Sequence, residues 1–237
     1  MNPAEPRLLR VETVADLPVL WATLQRLDFP HLLDRHLPAP CLWRGPLTPG
    51  EVRSLGLLFV VSQGDHCLNH VAPWVAQHQG VLAALLGKPV QPSDAHDDRL
   101  ADLLDRRGAG RTFAARERDR NQHTLRVYDL PSDTVRSAAT TATAYAEVLS
   151  AQGLWQFGHS KDDPDRPQFK IAAAVLDPLG MPLATAVVPG NSTDDPLDVP
   201  ALQAVRQALG TAGRTYLGDG TMAALGTRAV VAAGGDC

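Results

Sequence analysis

The sequence predicts a protein of the α+β / α/β class, a helical N-terminal domain followed by a mixed sheet with helices of its own. From Val11 to about Arg120 the apolar residues recur at helical spacing. After Leu125 the apolar runs shorten, become rich in Val, Thr and Ala, and are bounded by Pro and Gly. Their order, strand, strand, strand, helix, strand, helix, is that of a mixed sheet. A chain of 237 residues holds one large domain or two small ones, which excludes a miniprotein stapled by disulfides. With 44% hydrophobic and 20% charged residues, the composition favours folding over disorder.

In the helical region, Asp16 is placed to cap a helix with Pro18 in its first turn and Val19, Leu20, Trp21, Leu24 and Leu27 following. Thr48-Pro49-Gly50-Glu51 is a sharper start: a capping Thr three residues before Glu, with Pro at the first helical position. Further helical stretches are expected around Leu68 to Leu86 and Ala95 to Arg107, separated by the loop signals Gly87-Lys88-Pro89 and Gln91-Pro92-Ser93.

In the second region, Leu125 to Leu130 and Thr134 to Thr141 read as short strands. Lys170 to Leu176 and Pro182 to Val188 read as antiparallel strands joined by the tight turn Asp177-Pro178-Leu179-Gly180. Asp194 or Asp195 would cap a helix from Leu197 to Leu209, closed by Gly210 and Gly213. A strand over Arg214 to Gly218 follows, and then a helix from Met222 to Ala233. A helix ending in Gly234-Gly235 after a sheet strand would ordinarily lead into another strand, and none follows in this sequence, so the sheet is expected to have an unpaired edge.

The formal net charge of -4 argues against a uniformly basic nucleic-acid binder, though it averages over local patches. Cys41, Cys67 and Cys237 are odd in number and lack short metal-type spacing, which suits a reducing compartment. No apolar run approaches the roughly 18 residues that cross a bilayer, and the N-terminus lacks the layout of a signal peptide. The expected location is the cytoplasm, with no membrane partner.

Asp219, flanked by Gly218 and Gly220 at the end of an expected strand, stands where open α/β sheets place working groups. A carboxylate that caps the following helix is the competing reading. Gly158-His-Ser-Lys-Asp162 and Pro189-Gly-Asn-Ser-Thr-Asp-Asp195 are polar loops that suit either function or plain turns. His66 and His70, four apart around Cys67, could share one helix face as zinc ligands or simply lie on a helix surface. Between Arg106 and Arg126 seven arginines face only Glu117 and Asp119, which suits a phosphate-binding stripe or a solvated helix face. A metabolic enzyme built on Asp219 or His159 lacks an accompanying nucleophile-base pair.

Several of these stretches together resemble one family. They are Ser62-Gln-Gly-Asp-His-Cys-Leu-Asn-His-Val71, Asp98-Arg-Leu-Ala-Asp-Leu-Leu-Asp105, Gln156-Phe-Gly-His-Ser-Lys-Asp162, Leu176-Asp-Pro-Leu-Gly-Met-Pro-Leu-Ala-Thr185, Val188-Pro-Gly-Asn191, and Gly218-Asp219 with Met222-Ala-Ala. In this order they are similar to bacterial insertion-sequence transposases of the DDE superfamily with a helical N-terminal domain. The resemblance implies a DNA-binding or oligomerisation domain over residues 1–122 and an incomplete ribonuclease H-like catalytic domain over 123–237. It implies DNA cleavage and strand transfer on the element's terminal inverted repeats, in a homo-oligomer, by three carboxylates that hold Mg²⁺.

Within that resemblance Asp219 matches the second catalytic and metal-binding Asp, at the end of the fourth strand. The first catalytic Asp should stand on the first strand, and the position that aligns with it is Ala138, in Val135-Arg-Ser-Ala-Ala-Thr-Thr141. Asp133 is five residues earlier, an odd offset that places it on the opposite strand face. The third carboxylate is expected beyond Cys237. The implied DNA contacts are Arg106, Arg107, Arg111, Arg116, Arg118, Arg120 and Lys161. With one of three ligands present, the expectation is a truncated transposase without activity; the alternative is a DNA-binding or oligomerising regulatory fragment.

Overall fold

The computed structural model describes residues 11–37, 39–105, 110–143, 145, 147–148, 150–158, 163, 165–193, 195–210, 213–218 and 224–237, with the backbone course alone at 110–112 and 195–196. The chain forms two compact units, Met1–Arg116 and Glu117–Cys237. Among the described residues the first unit is helical and the second combines helices with a four-stranded mixed sheet. No helix among them is long and apolar enough to cross a membrane.

The first unit is built around its third helix. Helix α1 spans Leu17–Arg26, α2 Phe29–His36 and α3 Pro49–Gln63. The start of α3 follows the capping box read from the sequence: Thr48 Oγ1 accepts from Glu51 N at 3.2 Å, and Glu51 Oε2 accepts from Thr48 N at 2.7 Å. Two of the amide groups that a helix start leaves without intrahelical partners are thereby satisfied. Lys88 Nζ, 2.7 Å from Glu51 Oε1, ties the same carboxylate to the loop after the fifth helix. Val52, Leu55, Leu58 and Phe59 are buried along α3 and share one core with Leu17, Trp21, Trp74, Leu82, Leu100 and Leu103. Each such leucine stabilises the unit by about 1.5–3 kcal/mol through burial.

Asp16 does not cap α1 with its side chain. Its Oδ1 accepts instead from Ser62 Oγ at 2.6 Å, so a residue near the end of α3 takes the carboxylate that local reasoning assigned to the cap. The stretch from Leu68 to Leu86 is not one helix. A 3-10 turn over Leu68–His70 leads into α4, Val71–Gln77, and the chain breaks at His78 before α5, Gln79–Leu86. His78 keeps its Nδ1 on Trp74 O at 2.9 Å and its ring against Trp74. A 3-10 turn over Pro92–Ala95 precedes α6, Asp97–Asp105.

Helix α7 spans Gly110–Tyr128, so Leu125 to Leu130 is not a strand. The reason lies in tertiary burial. Glu117, Asn121 and Leu125 recur every fourth residue, which places them on one helix face. Asn121 Nδ2 donates to Leu183 O at 2.6 Å, and Glu117 accepts from Thr185 N at 3.2 Å and from Thr185 Oγ1. Two of the three residues on the anchoring stripe are polar, so hydrophobic periodicity does not reveal it.

The sheet comprises β1 (Thr134–Thr143), β2 (Gln168–Leu176), β3 (Met181–Pro189) and β4 (Thr215–Leu217), in the order β3-β2-β1-β4. β1, β2 and β3 are antiparallel neighbours, whereas β4 lies parallel to β1. Parallel neighbours need a crossover, supplied here by α8, Asp195–Leu209. Along β2 buried and half-buried residues alternate, and Ala174 and Leu176 join Val135, Leu183, Ala184 and Val205 of α8 in a second core. Helix α9, Leu225–Ala233, follows β4. Cys237 N donates to Arg214 O at 2.8 Å and Tyr216 N donates to Cys237 O at 2.7 Å, the pattern of a parallel bridge on the side of β4 away from β1.

Candidate functional site

Three regions hold the residues singled out by the sequence. The first is the β1–β4 pair. Its parallel register is Thr134↔Thr215, Val135↔Tyr216 and Arg136↔Leu217. Ala138 lies two residues further along β1 and is exposed, as are Ala139 and Thr140. Arg136 shares Ala138's strand parity and pairs with Asp177 at 2.8 Å, so the one cation on this stretch of β1 already has a carboxylate. Asp133 is exposed, and its backbone oxygen accepts from Thr215 N at 2.9 Å. Asp219, His159 and Lys161 lie outside the described residues.

The donor set at this pair does not fit a Mg²⁺ site among the described residues. Mg²⁺ takes oxygen ligands in octahedral array, usually including one or two carboxylates. On β1 the residues with the parity of position 138 are Thr134, Arg136, Ala138, Thr140 and Ala142, none of them acidic.

The second region is the arginine stripe. Arg106 and Arg107 lie outside the described residues, as does the side chain of Arg111. Arg116 stacks 5.0 Å from the Phe113 ring centroid. Arg118 sits 3.5 Å from Asp119, and Arg120 sits 3.9 Å from Glu117 while donating to Asn121 Oδ1 at 3.1 Å. These side chains are half-buried and take partners on their own helix. Two residues apart on a helix do not share a face, so Arg118 points away from the side of Arg120, and each guanidinium is braced by its own local partner.

The third region departs from the expected helix. Helix α3 ends at Gly64, whose φ of 65° turns the chain out of the helical course, and residues 65–67 are not helical. His66 and His70 therefore do not share a helix face. The chain instead gathers Asp65, Cys67 and His70, each offering a ligand atom within 4.8 Å of the others. Asp65 Oδ1 accepts from Cys67 N at 2.9 Å, and Asp65 Oδ2 lies 2.6 Å from His70 Nδ1. The bond from His70, then that from the Cys67 amide, hold Asp65 down at about 2. Hydrogen bonding to Asp65 and its charge push the Cys67 thiol up. Cys41, Cys67 and Cys237 are all free and exposed.

Sequence reasoning also missed a buried ionic cluster at the end of the second unit. Asp236 accepts from Arg206 Nε at 2.9 Å, from Gly213 N at 2.9 Å and from Arg214 N at 3.0 Å. Burial pushes its carboxyl up, but the bonds from the Arg214 amide, Arg206 and the Gly213 amide outweigh it and hold it below the ordinary carboxylate range. Arg206 also donates to Val230 O at 2.9 Å and Val231 O at 3.1 Å, carbonyls of α9. Gly234 leaves room for that guanidinium, since a Cβ there would fall 1.9 Å from Arg206 Nη2. Comparison with protein-family models, curated proteins and solved structures gives no match.

Proposed function

We propose that this protein is by descent a DDE-type transposase of a bacterial insertion sequence, that its sheet is ribonuclease H-like, and that it engages the element's terminal inverted repeats without cutting them. The observation that carries the reading is the strand order β3-β2-β1-β4 with β4 parallel to β1. The resemblance calls for catalytic carboxylates on the first strand and at the end of the fourth, and that order makes these two strands neighbours. Arg136 pairs with Leu217, and two residues further along each segment of the sequence stand Ala138 and Asp219. By the resemblance, the first two catalytic positions thus hold a methyl group and a carboxylate, where the family uses two carboxylates. A methyl group supplies no metal ligand, so the charge stabilisation on which phosphodiester cleavage depends is missing.

A second reading, a DNA-binding or oligomerising regulator without catalysis, draws on the arginines of α7. Arg116, Arg118 and Arg120 are each partly solvent-accessible. Arg106, Arg107, Arg111 and Lys161 are proposed as further DNA contacts. Both readings are tested by fluorescence anisotropy of labelled duplexes that carry the ends of the element, against scrambled duplexes, over a salt series. Repeat-selective binding that weakens steeply with salt supports DNA engagement. Equal affinity for both duplexes, or none, overturns it. Mg²⁺-dependent nicking would contradict both readings, since neither cuts DNA.

A further inference from the structure

We propose that Asp65, Cys67 and His70 form a binding site for a borderline-soft divalent metal ion of the zinc type. The three donors come from six consecutive residues, arranged Asp-x-Cys-x-x-His, and their ligand atoms lie within 4.8 Å of one another. The backbone brings them together in two steps. The left-handed Gly64 turns the chain out of α3, and the 3-10 turn over Leu68–His70 brings His70 back to Asp65. Leu68, half-buried against the helical core, fixes the centre of the hairpin from below. The side chains of Cys67 and His70 are exposed, so an ion can reach them without the unit opening.

The chemistry of the set selects the ion. Thiolate and imidazole favour zinc or cobalt over magnesium or calcium, which take oxygen ligands. Three protein donors leave a fourth tetrahedral position for water or for the neighbouring exposed His66. The separation of 2.6 Å between Asp65 Oδ2 and His70 Nδ1 is a hydrogen bond, shorter than the roughly 3.4 Å between two ligands on one tetrahedral zinc. Binding therefore replaces the shared proton by the metal, the proton leaving Nδ1 for solvent or for Nε2 of the same ring, and opens the pair by less than about 1 Å. The Cys67 thiol releases its proton to solvent as its sulfur takes the ion, so binding releases protons. The oxygen-ligand site implied on the sheet is a separate matter, and this inference does not rest on it.

The test is a Co²⁺ titration of the full chain in a Cys41→Ser, Cys237→Ser background, where Cys67 is the only thiol, followed by Zn²⁺ competition. The expected result is one Co²⁺ per chain, with thiolate-to-cobalt charge transfer and tetrahedral visible bands that Zn²⁺ abolishes. Cys67→Ser should remove the charge-transfer band, and His70→Ala should weaken binding at least tenfold. Both should keep the far-ultraviolet circular dichroism of the parent, because both side chains are exposed. The absence of thiolate charge transfer in the parent overturns the proposal. So does binding by His70→Ala with the affinity of the parent.

Discussion

Arg136 of β1 and Leu217 of β4 are parallel partners, the last in the register that joins the two strands. Two residues beyond Arg136 the chain carries the exposed Ala138, where the proposed lineage needs a carboxylate. Because that site is exposed and its neighbours small, Ala138→Asp should fold and cost at most about 1 kcal/mol in strand preference. Mn²⁺ binding, followed by electron paramagnetic resonance, should rise at least tenfold over the parent chain and fall back in Ala138→Asp/Asp219→Asn. No gain in binding would mean that position 138 is not aligned with the metal site.

The capping box at Thr48 satisfies amides that water would otherwise have to reach at a half-buried helix start. Thr48→Ala should destabilise the helical unit by about 1 kcal/mol, read as a lower urea midpoint at unchanged slope. An unchanged midpoint would show that the bond from the Glu51 amide to Thr48 Oγ1 adds nothing to stability.

Gly50 has a different constraint, close approach. A Cβ there would stand 2.1 Å from Pro30 O, and its amide donates to Asp34 Oδ1 at 2.6 Å, so α2 and α3 meet backbone to backbone. Gly50→Ala should cost about 1–3 kcal/mol by overpacking, despite the better helix propensity of alanine, and thermal unfolding would register the loss. Stabilisation by this change would contradict the packing described.

Asp236 gives the second unit a pH dependence of known sign. Its carboxyl is held below its ordinary value of 3.8, so the ionised form is bound more tightly in the folded chain than in the unfolded one. Its contribution is complete above that ordinary value and is lost as pH falls through the lowered one. Asp236→Asn should therefore destabilise the unit by about 2–3 kcal/mol near neutral pH, with the gap to the parent closing below about pH 4. Urea unfolding of both chains across that range checks it; a gap that widens on acidification would reverse the sign.

What the sequence shows depends on how far apart the determining residues lie. The start of α3 is legible because Thr48, Pro49 and Glu51 act on amides within one turn. The hairpin of β2 and β3 is legible for the same reason, since Gly180 N closes the turn on Leu176 O at 2.7 Å. The end of α7 is not, because the run from Leu125 to Leu130 suits a strand until β3 takes up Glu117 and Asn121. Arg206 and Asp236 meet thirty residues apart with no local signature. At the third region the residue types are visible in the sequence, but helical spacing pairs His66 with His70, whereas the turn at Gly64 gathers Asp65, Cys67 and His70.

A cleavage assay tells whether the proposed transposase fold engages DNA while lacking a working first-strand carboxylate. The 237-residue chain is incubated with end-labelled duplex carrying the element's terminal repeats and Mg²⁺, and the products are resolved on a denaturing gel. The predicted result is full-length strands at protein concentrations that shift the duplex on a native gel. Nicked or strand-transferred products that require Mg²⁺ and disappear in Asp219→Asn would contradict it.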